Sequence, residues 1–192
     1  MDRGTRGFWT VVIVLASASA FFGVRAESVR RSVQRASAAV QTGDLVTFSK
    51  ALDGDTVLLS NAAGDGVTVR LIGIKSFDST GTGDPTSAHG REAVAELQRA
   101  LANKPVRVML ASPPKDAHGR TLATLFADDE DVALSLVRAG RVMVYTQYPF
   151  PAMAEYLREQ DKARADRRGL WADPVASERA KALAAQWRKG AP

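Results

Sequence analysis

The sequence predicts an α+β protein in which a five-stranded barrel carries packed helices. Two observations predict this class: five short β-like runs are punctuated by turn residues, and one helical pattern is inserted after the third run. Further helical patterns follow the fifth run. This order of elements is typical of a β-barrel of the OB type.

Three predicted strands precede the first predicted helix. They are Val46–Leu52, Thr56–Ser60 and Val67–Ile74. In the third of these, Val69 and Leu71 share one face and Arg70 lies on the other, because side chains alternate along a strand. Arg70 is therefore expected to face a cleft if Val69 and Leu71 face the core.

The remaining elements alternate between helical and extended patterns. Ala93, Leu97, Ala100 and Leu101 are spaced for the apolar stripe of one helix. Next come predicted strands at Val106–Leu110 and Arg120–Phe126, with Ser112–Gly119 between them as a loop holding two prolines. The last predicted elements are a helix from Val132 that stops at Gly140, an extended piece Val142–Tyr145, and helices over Pro151–Arg168 and Ala176–Arg188.

The N-terminus is expected to lie outside this fold. Arg3 and Arg6 precede an uncharged apolar run at residues 7–24, and small residues flank Arg25 at Val24 and Ala26. This pattern predicts a secretory signal cleaved after Ala26 or an uncleaved membrane anchor. The protein is thus expected to be exported (periplasmic or extracellular), or to be anchored to a membrane by residues 7–24. The predicted divisions are residues 1–26 for the signal or anchor, 27–44 for a polar spacer, 45–174 for the barrel domain and 175–192 for a basic helical extension.

The positive charge of the chain is unevenly distributed. The formal net charge is +5, but the basic excess lies in residues 1–49 and 174–192, and the stretch between them is close to neutral. Basic ends indicate solubility or attraction to an anionic surface and not a specific site. The chain has no cysteine, which excludes disulfides and thiolate metal sites.

Five segments in one order resemble the staphylococcal nuclease (thermonuclease) family. They are Asp53-Gly54-Asp55-Thr56, residues 69–74, Gly90-Arg91-Glu92-Ala93, residues 119–123 and residues 168–174. The resemblance covers roughly residues 45–174. It implies an OB-type barrel, nucleic acid as the substrate and calcium-dependent hydrolysis of DNA or RNA phosphodiesters.

The resemblance also implies roles for individual residues. Arg70 and Arg120 match two arginines that clamp phosphate, and Asp78 matches the family's carboxylate base. Asp55 and the backbone carbonyl of Ser76 match calcium contacts, and Asp53 is a further candidate ligand. These roles suit the chemistry, because arginine forks and a hard cation neutralise the charge on phosphate oxygens while a carboxylate activates water.

Two residues depart from the family pattern. Lys75 stands where the family has a carboxylate ligand of calcium, so the sequence predicts a weakened or differently charged metal site. Two alternatives follow: Asp53 or Asp78 substitutes as a ligand, or the Lys75 ammonium stands in for part of the metal's charge and contacts the substrate. Asp78 replaces a glutamate and is one methylene shorter. A shift of about 1 Å in a catalytic group can cost about 100-fold in rate.

Aromatic and histidine side chains are candidates for contacting bases. Tyr145 is a candidate stacking platform, and His118 lies where an aromatic residue is common in the family. For His118, an ordinary loop residue is the alternative. The alternative for Arg70 and Arg120 is a salt bridge at the surface or barrel rim, for example with Asp78 or Asp116. The alternative for Asp78 is a solvated loop acid.

Three functional hypotheses follow from the sequence. The first is an exported or membrane-tethered nuclease-like phosphodiester hydrolase with a divergent metal site. The second is a catalytically inactive OB module that binds nucleic acid or a protein partner through the same cleft. The third is a structural envelope protein whose C-terminal helix and Trp187 dock to a partner. The membrane is a further expected partner if the N-terminal segment is not cleaved.

Overall fold

A computed structural model describes residues 40–116 and 118–189 of the chain. The predicted signal or anchor, and most of the predicted spacer, lie outside the described residues. The described residues form one compact unit. None of the helices within the described ranges has the length and apolar character needed to cross a membrane.

Eight strands and four α-helices make up the described fold. The strands are β1 (Leu45–Asp53), β2 (Thr56–Ser60), β3 (Gly66–Leu71), β4 (Ile74–Lys75), β5 (Pro105–Lys115), β6 (Thr121–Ala127), β7 (Glu130–Asp131) and β8 (Met143–Val144). The helices are α1 (Ser87–Leu101), α2 (Val132–Arg138), α3 (Met153–Ala165) and α4 (Pro174–Lys189), with a 3-10 helix at Gly169–Ala172.

Five of the strands close into a barrel. They follow the order β3-β2-β1-β5-β6, and a parallel pairing of β3 with β6 joins the two ends of the sheet. The remaining strands add a short pairing of β7 with β6 and a separate antiparallel pair of β4 with β8. The predicted α+β class and the five-stranded barrel of the OB type are both confirmed.

The barrel interior is filled by alternating strand residues and by one face of α1. Val69 and Leu71 of β3 are buried, as their shared face predicts. Ala93, Leu97 and Leu101 of α1 are fully buried against the strands, so the predicted apolar stripe is confirmed. Burying a leucine or valine side chain contributes about 1.5–3 kcal/mol, which makes this stripe a main support of the fold.

Two predicted boundaries differ from the structure. The predicted loop at Ser112–Gly119 is wrong in its first part, because β5 continues to Lys115, which pairs with Thr121. An irregularity in the pairing between Leu110 and Lys115 accommodates the two prolines. The predicted strand Val67–Ile74 is interrupted because Gly73 adopts a φ of +75°, and the chain beyond it pairs with β8 instead of β2.

The C-terminal helix α4 packs on the rest of the unit. Its apolar residues join a second buried cluster beside the main core. This cluster contains Phe77, Met143, Ala163, Leu170, Trp171, Ala176 and Ala180, with Leu183 and Trp187 packed against it. The apolar face of α4 is therefore used within the chain.

Candidate functional site

The turn between β1 and β2 places Asp55 in the interior. Its side chain is 1 % exposed, and its Oδ2 atom accepts a hydrogen bond from the Ser76 backbone N–H at 3.0 Å. Its Oδ1 atom accepts another from the Thr56 hydroxyl at 3.0 Å. Asp55 therefore ties this turn to the segment that follows β4.

Two cationic side chains pair with the Asp55 carboxylate. The buried Arg70 guanidinium forms an ion pair with Oδ1, and Lys75 Nζ lies 3.3 Å from Oδ2. Arg70 also donates a hydrogen bond to the backbone carbonyl of Ile74 at 2.8 Å. The carboxylate that the sequence assigns to calcium is thus neutralised by two side chains of the protein itself.

Burial and mutual repulsion shift the titration of these two cations. Burial, followed by the charge of Arg120, lowers the pKa of Arg70 to about 10. Burial, followed by the charge of Arg70, lowers the pKa of Lys75. Arg70 still carries its positive charge at neutral pH, so the interior of the site is cationic.

Arg120 lies on the same side of the barrel as Arg70. The β3–β6 pairing sets Arg70 opposite Leu122, two residues after Arg120. Arg120 Nε donates to Asp116 Oδ2 at 2.7 Å, so the salt bridge considered for this residue is present. The Arg120 side chain is 38 % exposed, and its two terminal nitrogens make no hydrogen bond to the described residues. They can reach a phosphate from solvent.

Asp78 forms its hydrogen bonds with its own loop and not with this cluster. Its Oδ1 atom accepts from both the backbone N–H and the hydroxyl of Thr80, each at 2.7 Å. These two bonds, the backbone bond first, lower the pKa of Asp78, which is exposed. This is a local turn closed by an aspartate, the arrangement expected of a loop acid. The sequence Asp78-Ser79-Thr80 contained the signal for such a turn.

Ser76 and Asp53 complete the group of residues proposed to contact a metal. The Ser76 hydroxyl lies within hydrogen-bond distance of both Asp53 Oδ1, at 3.2 Å, and Asp55 Oδ2, at 3.3 Å. Asp53 Oδ1 also accepts from the Gly54 N–H at 2.7 Å. Ser76 therefore contacts the two carboxylates as a hydrogen-bond donor.

The residues as arranged do not fit calcium. Calcium takes six to eight oxygen ligands, with carboxylates prominent among them. Within residues 40–116 and 118–189, no group of three or more histidine, cysteine, aspartate or glutamate side chains is placed to hold a metal ion. Asp55, the best-placed carboxylate, already accepts bonds from backbone and hydroxyl donors and pairs with Lys75.

The candidate base-contacting residues fall in two places. Tyr145 follows β8 next to the cationic cluster, and its backbone N–H donates to the Gly73 carbonyl at 2.9 Å. Burial, followed by Tyr148, raises the pKa of Tyr145, and the positive charge of Arg70 opposes that shift. His118 instead lies exposed on the turn before β6, where its backbone N–H donates to Asp116.

The structure also places Trp187 beside Tyr145. Its ring meets the Tyr145 ring edge to face, with the ring centroids 4.9 Å apart. The sequence predicts a role for Trp187 only in docking to a partner. The spacing of Ala176, Ala180, Leu183 and Trp187 marks one face of α4, which is the signal that this ring would pack back on the domain.

The fold and the site together define a class of protein. A five-stranded barrel presents buried and half-exposed arginines, a lysine and aromatic rings around a short β1–β2 turn. Arginine forks and aromatic faces are the groups that bind phosphate oxygens and bases of nucleic acids.

Comparison with known proteins identifies the family. The family described as "Staphylococcal nuclease homologue" matches residues 68–173, which is more than half of the chain. An uncharacterized endonuclease of Haemophilus influenzae is 31 % identical over 140 residues, covering 73 % of this chain and 70 % of that protein. This chain belongs to the staphylococcal nuclease family.

Two other relatives extend the comparison. An uncharacterized endonuclease of Escherichia coli O157:H7 is 33 % identical over 129 residues, covering 66 % of this chain and 77 % of that protein. The thermonuclease of Staphylococcus intermedius is 31 % identical over 98 residues, covering 51 % of this chain and 58 % of that protein. The domain is therefore nuclease-like. Helix α4 lies beyond the residues that match the family.

Proposed function

We propose that this protein binds nucleic-acid phosphodiesters in the cleft formed by Arg70, Lys75 and Arg120, and that it hydrolyses them weakly because Lys75 impairs the metal site. The observation that carries the proposal is the ion pair between Lys75 Nζ and Asp55 Oδ2 at 3.3 Å. The names of the endonuclease and thermonuclease relatives support the substrate class and the type of reaction.

Charge compensation in the cleft comes from the protein's own side chains. The terminal nitrogens of Arg120 are open to solvent and can donate to two oxygens of one phosphate, the fork geometry that arginine favours. Lys75 has a half-exposed ammonium and adds a point charge. Arg70 is fixed by Asp55 and the Ile74 carbonyl, so its charge reaches the substrate mainly through space.

Asp78 is the residue that we expect to activate the attacking water. A general base must reach the attacking water with a free carboxylate oxygen. Thr80 holds one oxygen of Asp78 in a turn, and the lowered pKa makes this carboxylate a weaker base than an ordinary aspartate. Slow hydrolysis follows from both features.

A second candidate is binding without hydrolysis. The specific observation in its favour is that both candidate carboxylates are committed, Asp55 to the cations and Asp78 to Thr80. This candidate shares the phosphate-binding cleft with the first, and it differs only in whether the bound strand is cut.

The test combines binding and cleavage by the purified full chain. In the presence of chelator, a fluorescein-labelled single-stranded DNA or RNA should bind with an affinity that falls as salt rises, since phosphate contacts release counterions. Arg120→Ala should weaken this binding. With calcium, cleavage by the natural chain should stay slow, and Lys75→Asp should raise calcium-dependent cleavage by about tenfold or more by restoring a carboxylate ligand.

The matched control is Lys50→Asp, which makes the same charge change at an exposed strand position. Fast cleavage by the natural chain that chelator abolishes would refute the impaired site. Binding without cleavage in both the natural chain and Lys75→Asp would favour the second candidate.

A further inference from the structure

We propose that helix α4 completes a base-stacking platform for single-stranded nucleic acid, in which Trp187 of α4 and Tyr148 lie on either side of Tyr145. The inference rests on the proposed function, because the same strand would follow the cationic cleft with its phosphates. It assigns a substrate-contacting role to a helix outside the residues that match the family.

The three rings form a continuous row. The Tyr145 and Trp187 centroids lie 4.9 Å apart at an interplanar angle of 81°, and the Tyr145 and Tyr148 centroids lie 6.1 Å apart at 58°. In an edge-to-face pair, one ring keeps both of its faces uncovered by the other. Tyr148 is 59 % exposed and Trp187 is half-buried, so the row presents aromatic surface to solvent.

The row adjoins the cationic cleft through the β4–β8 pair. Lys75 of β4 lies opposite Met143 of β8, two residues before Tyr145. The charge of Arg70 also acts on the Tyr145 hydroxyl. Phosphates held in the cleft would thus place their bases within reach of the row.

The last turn of α4 supplies charge complementary to a nucleic acid. Arg188 and Lys189 follow Trp187 directly, and both are exposed. Neither forms an ion pair with an acidic residue in the described part of the chain. Basic side chains beside a solvent-facing aromatic ring are the usual combination in sequence-tolerant binding of single strands, whose unpaired bases offer free π-faces.

Helix α4 is fixed in place by contacts that do not involve the row. Arg179 Nη1 lies 2.7 Å from Asp84 Oδ2, and its guanidinium lies 5.9 Å from the centre of the Phe77 ring. His89 Nε2 lies 3.0 Å from Asp173 Oδ2, just before the helix begins. Trp187 also packs against the second buried cluster, but these polar contacts and the buried Ala176 and Ala180 hold the helix without it, so the half-buried ring can contact a base as well.

The test separates bases from phosphates. The full chain is titrated, in chelator, with a fluorescein-labelled oligothymidylate and with an abasic strand of the same length. The natural chain should bind the oligothymidylate about fivefold or more tightly than the abasic strand, the range expected for stacking on an aromatic ring. Trp187→Leu should reduce that ratio, Trp187→Phe should largely keep it, and Val175→Ala, an exposed control on the same helix, should leave it unchanged.

The ratio is taken within each variant, so a general loss of stability does not imitate the result. Quenching of tryptophan fluorescence by oligothymidylate, present in the natural chain and lost in Trp187→Phe, is a second readout that a purely structural role would not produce. A ratio that Trp187→Leu leaves unchanged would overturn this inference alone. Failure of the natural chain to bind either strand would overturn the proposed function together with it.

Discussion

At the scale of single residues, the defining feature is the trio of Asp55, Arg70 and Lys75. One buried carboxylate faces two cations, so the trio carries a net positive charge. A phosphate is attracted to such a trio, whereas a metal cation is repelled by its lysine. Two unit charges 4 Å apart repel by about 4 kcal/mol at an effective dielectric constant near 20, and a divalent ion doubles that repulsion. The substitution at position 75 thus favours anions over metals.

Gly54 gives a stability prediction at the same scale. A Cβ atom added there would lie 2.6 Å from Ala93 Cβ and 2.7 Å from Ser76 Cβ. Gly54→Ala should therefore lower the free energy of unfolding by about 1–3 kcal/mol, the usual cost of overpacking. Urea denaturation followed by circular dichroism measures the change.

Gly66→Ala is the matched control for Gly54→Ala, because its added Cβ would meet only Leu58 at an ordinary 3.4 Å. An equal loss of stability in both variants would show that the crowding at Gly54 is not its cause.

Residue identity predicted the trio, but it could not decide between the alternatives for Asp78 and Arg120. The order Asp55, Arg70, Lys75 within the family pattern was enough to place these three in one site. The turn that holds Asp78 on Thr80 and the bond from Arg120 to Asp116 depend on loop conformation. Such local side-chain bonds compete with longer-range contacts, and only the folded loop decides between them.

At the scale of elements, the loop between β4 and α1 is held in place by a contact with α4. Asp84 accepts from Thr86 within the loop and pairs with Arg179 from α4. The sequence predicted α4 as a basic helical extension, and the structure gives it the further role of bracing the loop that carries Asp78. Strands and helices with clear periodicity were predictable, but the break at Gly73 and the continuation of β5 from Leu110 to Lys115 were not, because local backbone geometry overrides periodicity there.

Arg179→Ala should loosen this loop while changing global stability little. Partly exposed ion pairs contribute about 0–1 kcal/mol, so the main expected effect is local. Amide exchange in residues 78–86 should become faster, as measured by mass spectrometry of peptic fragments.

Lys181→Ala serves as the control for Arg179→Ala, because among the described residues Lys181 pairs only with Glu178 on the same helix. Unchanged exchange in Arg179→Ala would mean that α4 does not brace the loop.

At the scale of the whole molecule, barrel closure assembles the site. Arg70 lies on β3 and Arg120 immediately precedes β6, and these two strands pair only where the sheet closes. The sequence contains both strands but not their parallel pairing, since that pairing joins segments about fifty residues apart and depends on the path of every strand between them.

Because the barrel closes through the pairing of β3 with β6, it can open transiently at that junction. The Ile72 N–H donates to the Ala123 carbonyl at 3.1 Å across the junction of β3 and β6, so its exchange with solvent requires the junction to open. A nucleic-acid strand that contacts both Arg70 and Arg120 binds only the closed form, in which β3 and β6 are paired. At a ligand concentration of 100 times Kd, such binding favours the closed form by about 2.7 kcal/mol, or about 100-fold.

Oligonucleotide should therefore slow the exchange of the Ile72 amide by up to about that factor. It should leave unaffected the Asp166 amide, which directly follows α3 and donates to the Lys162 carbonyl. Nuclear magnetic resonance of the two amides measures this difference, and equal slowing of both would contradict it. If the difference is observed, bound nucleic acid stabilises the pairing of β3 with β6. The exchange rate of the Ile72 amide then reports how often the barrel opens.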